Sequence, residues 1–523
     1  MKRIRLLLLF TVCFFFSVKA QTTTFQKMYG TPLNEYLFDL IEYSQTGYVA
    51  TGVQYQSQQN GDAYILRTDA SGNQLWAKTF GDTLFQQALG VKEGDGGDLF
   101  VAGTTRSQVT LNNQIFVLKT DSLGDTKWLK TFAGGNYTQC NVLEKAAGGF
   151  LIGGTTTSSI SSSEDACLLK IDSAGTILWN KIYQVNANTE IVEAVKELPD
   201  GSILFAGYSM PPGSSATPGF LAKTDSAGNL LWWHFYTNGR VIIHSLDVLQ
   251  DGSVMMCGEG GNFQIILLKA DAAGNFEWAK VYGINGPDGF FDMRAFADGN
   301  VLLSGASFIA SFPNIGYDMA LIKCDTAGTI LWTKNFAGNY NDQCYGLIVC
   351  SDGGFAICGQ TDNNSSSLVI PGIPHIVKTD NTGFSGCNET IRNYSSANIV
   401  LNDSAVAVAS SSNFSSSFIN FPSNNAGTDS TLCLATGIEN EKYPGEKISY
   451  YPNPVEEILN VACSEPVRNS VLEIYDAFGK KVFTSPMTQQ LTNSFNLSIL
   501  STGIYFLKIR NGKDDVIGKI IKL

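Results

Sequence analysis

The side chains of this 523-residue chain that could do chemistry are few and scattered. Its three histidines, His234, His244 and His375, fall at different positions of different apolar runs, so the sequence assembles neither a metal set nor a catalytic base from them. It has no HExxH helix, G-x-S-x-G elbow, phosphate-binding loop or paired-cysteine metal site. What recurs is a turn, written K-x-D-x-x-G-x-x-x-W-x-K-x-[FY] and clearest in Lys170–Tyr183. Its aspartates are Asp69, Asp121, Asp172, Asp225, Asp271, Asp325 and Asp380. One Asp per turn is too few oxygen ligands for calcium. An Asp there bonds instead to its own backbone two residues on, and Gly at the fourth place supplies a positive φ.

Successive turn aspartates lie 52, 51, 53, 46, 54 and 55 residues apart, which gives seven units. A second marker, a Gly-containing turn, an apolar run and a closing Gly, also occurs seven times, from Gly47–Gly52 to Gly353–Gly359. Within the third unit the apolar runs predict strands over 139–145, 149–155, 165–171 and 176–183. A four-stranded antiparallel unit of this length, repeated in tandem, predicts a seven-bladed β-propeller. The seventh unit lacks its Trp strand after Gly383, whereas Phe25-Gln26-Lys27-Met28-Tyr29-Gly30 aligns with Trp76-Ala77-Lys78-Thr79-Phe80-Gly81. The N-terminal strand is therefore expected to complete the last blade and close the ring, which removes open strand edges.

That architecture assigns positions to the remaining residues. Trp76, Trp128, Trp179, Trp232, Trp278 and Trp332 recur at one place of the fourth strand, where large rings fill the wedge between blades. The D-x-x-G-x-x-x-W spacing is similar to the docking motif of quinoprotein propellers, one residue shorter in the turn. The adjacent cysteine pair of those enzymes is absent, so no cofactor is expected. The inner strands should line a central channel. Counting eight residues back from the first turn Gly, or its equivalent, gives Asp39, Leu89, Asn141, Ala194, Ser245, Asp292 and Gly346. Of these, Asp39, Asn141 and Asp292 are candidates to hold a cation or polar ligand. Further candidate contacts on the loop face are Tyr137, Arg240, Asp288, Tyr340 and Asp342, with the longer loops Met210–Gly219 and Ser307–Tyr317. No metal-ligand spacing is present.

Eleven cysteines include Cys13 in the leader. Cys167, Cys257 and Cys358 sit in apolar runs and read as buried free thiols, while Cys387 and Cys433 bracket a polar stretch and form the disulfide candidate. The turns at Asp121-Ser122, Asp172-Ser173, Asp225-Ser226 and Asp325-Thr326 resemble the D-[ST]-[aliphatic] O-glycosylation acceptor of Bacteroidetes.

The ends of the chain carry targeting signals. Lys2, Arg3 and Arg5, the apolar run from Leu6 to Phe16 and the exit Val18-Lys19-Ala20 form a signal peptide over residues 1–20. Its removal moves the formal net charge from −12 to −16, which does not suit a nucleic-acid binder. Later in the chain there is no apolar run of about 18 residues or more, so no membrane span is expected. Residues 21–386 hold the propeller. Residues 387–447, rich in Ser and Asn, read as a linker or a small β-hairpin region. From Ile448 the pattern changes: Tyr451-Pro452-Asn453-Pro454, Leu459-Asn460-Val461, Val471–Asp476, Gly479–Val482, Asn496-Leu497-Ser498, Gly503–Lys508 and Lys519–Leu523. These motifs resemble, over residues 448–523, the type A C-terminal sorting domain of the Bacteroidetes type IX secretion system. The resemblance implies an Ig-like β-sandwich, export through the periplasm, and the secretion machinery as a partner.

The sequence thus predicts an all-β, secreted or surface protein that binds a protein or glycan through its loop face and is not an enzyme. The alternative is a secreted polysaccharide-degrading hydrolase or lyase on the same scaffold, which acidic residues or Arg converging at one channel mouth would favour.

Overall fold

The computed structural model describes residues 23–31, 33–57, 60–157, 163–261, 264–283, 288–311, 314–336, 341–362, 372–386, 389–436, 448–451, 455, 457–463, 470–476, 480–488, 490, 492–510 and 515–522. Two compact units are present, Met1–Thr436 and Gly437–Leu523.

The first unit is a seven-bladed β-propeller. Its blades are consecutive antiparallel meanders, such as Thr138–Ala146, Gly149–Thr157, Glu164–Ile171 and Ile177–Gln184 in blade 3. The N-terminal strand Thr23–Gly30 pairs with Gly372–Thr379 as the fourth strand of blade 7, in the register Phe25↔Lys378. Seven apolar cores occupy the spaces between blades among the described residues, including one of Phe25, Tyr29, Leu37, Tyr48 and Cys358 between blades 7 and 1. An open array of seven blades would have six such spaces, so the ring is closed. Glu42 of blade 1 seals the junction by accepting the Ser351 amide of blade 7 at 2.7 Å.

The repeated motif is a clasp between neighbouring blades. Each turn Asp accepts two amides of its own turn, as Asp172 does from Ala174 at 2.9 Å and Thr176 at 2.8 Å. The turn Gly sits under the ring of the preceding blade. A Cβ on Gly175, at φ +71°, would lie 2.8 Å from Trp128, and a Cβ would lie 2.8 to 3.0 Å from the ring in the pairs Gly124 with Trp76, Gly228 with Trp179, Gly274 with Trp232, Gly328 with Trp278 and Gly383 with Trp332. Phe25 takes that place over Gly72. Where the motif ends in Tyr, the hydroxyl also donates to the turn carbonyl, as in Tyr183 to Gly228 at 2.7 Å.

Residues 389–436, expected from composition to be a linker or small hairpin region, form a strap around the whole ring. Seven short strands add a fifth, outermost strand to each blade in reverse order: Glu389–Thr390 on blade 6, Ser395–Ile399 on 5, Asn402–Ala405 on 4, Ala409–Ser411 on 3, Ser415–Phe418 on 2, Ser423–Asn425 on 1 and Thr428–Thr436 on 7. The Ser and Asn side chains are tolerated because these strands are largely solvent-exposed. Between strands the strap drops an apolar residue into each blade junction it crosses: Tyr394, Leu401, Val406 with Val408, Phe414, Ile419 with Phe421, then Ala426. The last strand covers the free edge of the closing strand, so Thr23–Gly30 is paired on both sides.

The second unit is a small sandwich. A sheet of Ile448–Tyr451, Ile458–Cys463 and Thr492–Asn496 and a second sheet of Lys481–Pro486, Val471–Asp476, Gly503–Arg510 and Asp515–Lys522 enclose a core of Val455, Leu459, Val461, Phe495, Leu472, Ile474, Leu507 and Ile520. The signal segment, Tyr340, Cys387 and the side chain of Cys433 lie outside the described residues, and the disulfide candidate lies outside them as well. Cys167, Cys257 and Cys358 are buried free thiols.

Candidate functional site

Every inner strand carries a β-bulge at the same place, with register shifts between Leu37/Asp39, Ala88/Gly90, Cys140/Val142, Val192/Ala194, Ile243/Ser245, Phe290/Asp292 and Cys344/Gly346. A bulge leaves one residue unpaired and re-aims its side chain. The skipped residues Phe38, Leu89, Asn141, Glu193, His244, Phe291 and Tyr345 all line the central channel, a cavity of about 440 Å³. The count from the turn Gly therefore mixed two rings. Leu89 and Asn141 belong to the skipped ring, whereas Asp39, Ala194, Ser245, Asp292 and Gly346 follow it by one residue. The closing Gly of each second strand lies against this bulged backbone. A Cβ on the closing Gly of each second strand would meet a backbone carbonyl of the inner strand, 1.7 Å away at Gly52 and 1.8 Å at Gly207, because the bulge pushes that backbone inward.

Asp39 and Asp292 line the channel, but their oxygens staple blades together. Asp39 accepts the Val91 amide at 2.9 Å and lies 3.3 Å from Lys92. Asp292 accepts the Leu347 amide at 3.0 Å, Ser245 at 2.9 Å and Arg294 at 2.5 Å. Asn141 donates to the Val192 carbonyl at 2.9 Å. Three residues beyond the bulge the channel is ringed by charge that pairs with itself: Lys92 also reaches Glu144 at 3.7 Å and Lys196 reaches Asp247 at 2.5 Å. Burial opposes the charge on Lys92, yet Asp39 and Glu144 hold its ammonium above the usual lysine range.

Inner strands start at the face that bears the between-blade loops, so the skipped ring lies nearer that face than the charged layer does. There the channel is two-sided. His244, Phe291, Tyr345 and Phe38 form an aromatic arc over blades 5, 6, 7 and 1, with successive ring centroids 5.1, 5.4 and 5.6 Å apart. Tyr36, Tyr55 and Phe85 extend the aromatic surface on blades 1 and 2. On blades 4 and 5 stand Glu193, Tyr208, Arg240 and Glu259. Arg240 donates to Glu259 at 2.6 Å, and His244 Nε2 lies 3.6 Å from the other Glu259 oxygen. His244 and Arg240 hold the Glu259 carboxyl down to about 2 against its burial. Burial holds the Glu193 carboxyl above the usual range, a push that Glu259 adds to and His244 opposes.

Of the loop-face candidates among the described residues, Arg240 alone joins this cluster. Asp288 is buried and accepts the Phe308 amide at 2.7 Å, bracing the hairpin of blade 6. Asp342 is buried at the start of its inner strand, paired with Thr361. Tyr137 hydrogen-bonds Gln139 through its hydroxyl and Thr157 through its backbone. Of the segment expected to be a loop, Ser307–Ser311 and Asn314–Tyr317 pair as an extension of the blade 6 hairpin, with Phe308 opposite Tyr317. Sequence reasoning missed Glu193, His244 and Glu259, since no spacing brings a first strand and a second strand of two blades to one mouth. Among the described residues no group of three His, Cys, Asp or Glu side chains is placed to hold a metal ion.

Residues 449–523 match the family model of the secretion system C-terminal sorting domain. The protein is therefore exported to the cell surface or secreted, and its sorting domain engages the secretion machinery. Among the described residues no helix is long and apolar enough to cross a membrane. A comparison with proteins of curated function finds no match. Similar solved structures include Sqt1 of Chaetomium thermophilum, at 10% identity and a TM-score of 0.36 over 68% of this chain and 97% of that one. PorZ, a surface component of the type IX secretion system of Porphyromonas gingivalis, aligns at 10% identity and 0.28 over 91% of this chain and 69% of that one. The extracellular domain of a hybrid two component system from B. thetaiotaomicron aligns at 10% identity and 0.23 over 93% and 84%. The assignment of seven blades rests on the strand pairing of this chain itself.

Proposed function

We propose that this secreted protein is a non-enzymatic binding protein that engages a protein or glycan ligand through the loop face, at the channel mouth. The observation that carries this reading is where the repeat breaks. The motif side chains are used between blades, in the same clasp around the ring, and offer a ligand little that distinguishes one blade from another. The mouth alone sets an aromatic wall against a polar cluster of Glu193, His244, Arg240 and Glu259. Aromatic faces beside a few fixed polar groups suit recognition. A glycan and surface-protein binding array probed with the mature protein tests it: hits that disappear in Tyr345→Leu and Arg240→Ala support the reading, and hits that survive both overturn it.

One observation favours a second reading, a polysaccharide-degrading hydrolase. Glu193 and Glu259 stand at one mouth with their proton affinities pushed apart, the split that separates a proton donor from a charged carboxylate. Release of reducing sugar by the wild type, lost in Glu193→Gln, would establish it.

A further inference from the structure

The cations of the channel are all engaged, and one carboxylate is not. Lys92, Lys196 and Arg294 each pair with an acidic neighbour, as does Arg240 at the rim. The lining holds five carboxylates, Asp39, Glu144, Glu193, Asp247 and Asp292, against those three channel cations. Glu193 makes no hydrogen bond and no ion pair among the described residues, although it is only partly exposed. It lies in blade 4, so across the sevenfold ring it faces the junction of blades 7 and 1, where Tyr345 and Phe38 stand. His244 and Glu259 act on its charge and it acts in turn on Tyr208, His244 being the one basic side chain among the three.

A half-buried carboxylate without a partner costs stability. A site that keeps one opposite aromatic rings has the two attractions a desolvated organic cation needs: an opposite charge, and ring faces whose quadrupole is negative. A neutral sugar can donate hydroxyls to that carboxylate but brings no opposite charge to offset it, and an anion would be repelled by a lining with two carboxylates in excess.

We propose that the channel mouth is a binding site for an organic cation, an alkylammonium or guanidinium group inserted between Glu193 and the Phe291–Tyr345–Phe38 arc. This site rests on the loop-face binding role and names the chemistry of its ligand. The group can come from a free small amine or from a Lys or Arg side chain of a polypeptide, and the two sources share the site.

Calorimetric titration of the mature protein with choline, with its neutral carbon isostere dimethylbutanol, and with short peptides bearing Lys or Arg tests the assignment. The expected result is binding of one or more cations, no binding of dimethylbutanol, and an affinity loss on the order of tenfold or more in both Glu193→Gln and Tyr345→Leu. Tighter binding of the peptides than of choline identifies a polypeptide source, and the reverse a free amine. Equal binding of the neutral isostere, unchanged affinity in Glu193→Gln, or no heat with any cation at millimolar concentration overturns the proposal. Thermal melting of both variants checks that they remain folded. Array hits that need Tyr345 and Arg240 but ignore Glu193 would sink the cation site while leaving loop-face binding intact.

Discussion

Leu401 and Phe421 are the sharpest test of the strap. Leu401 is 3% exposed in the junction of blades 4 and 5, packed with Tyr236, Val241 and Ala279. Phe421 is 6% exposed between blades 1 and 2, edge-on to Phe116 at 5.7 Å. Truncating a buried Leu to Ala costs about 2–5 kcal/mol and a Phe about 3–5 kcal/mol, including the cavity left behind. The two junctions share no residues, so Leu401→Ala with Phe421→Ala should cost near the sum, within about 0.5 kcal/mol. An exposed strap position such as Ser411→Ala should stay within about 0.5 kcal/mol. Urea unfolding followed by Trp fluorescence is the assay. All seven Trp residues lie between Trp76 and Trp332, so the signal reports the propeller alone. If both anchor variants unfold at the wild-type midpoint, the strap is a loose tail and contributes nothing to holding the ring.

Gly175→Ala should lose at least about 1 kcal/mol, because the new Cβ meets Trp128 at 2.8 Å in a left-handed conformation; an unchanged melting temperature would refute the clasp. His375 is buried with both ring nitrogens unpartnered among the described residues, and burial lowers it to about 4. The unfolded chain then binds the proton first, so stability falls as pH drops from about 6.5 to about 4, by about 3 kcal/mol, and His375→Leu should remove that part of the acid sensitivity in chemical unfolding at pH 7 and pH 4. Deleting residues 448–523 should leave the propeller inside the cell envelope, read by immunoblot of the medium and cell surface against periplasm; normal export would contradict the sorting role. Ser122, Ser173, Ser226 and Thr326 are exposed at their turns, so if they carry glycans the intact mass of the secreted chain exceeds that of the bare polypeptide.

Much of the ring was legible because each repeated contact depends on a fixed spacing. The turn Asp, the Gly three residues on and the Trp beyond it recur with every blade, so the pattern announces both the blade and its neighbour. The truncated seventh unit and the matching Phe25–Gly30 announced closure for the same reason. The strap was not legible. Most of its strands are too short and polar to read as strands, and its anchors, Tyr394, Leu401, Val408, Phe414, Phe421 and Ala426, stand five to seven residues apart in a Ser-rich stretch.

The sequence by itself determined the repeat, its count and the C-terminal sorting signal, since these are written in local spacing and in contiguous motifs. Only the tertiary structure decided where the strap runs and what meets at the channel mouth. Asn402–Ala405 becomes a strand because an unpaired edge in blade 4, Leu230–Thr237, is waiting for it. Glu193 comes to face Tyr345 and Phe38 because a bulge turns each of them inward on a closed ring. Partners more than 150 residues apart are chosen by that geometry, and no period along the chain records it.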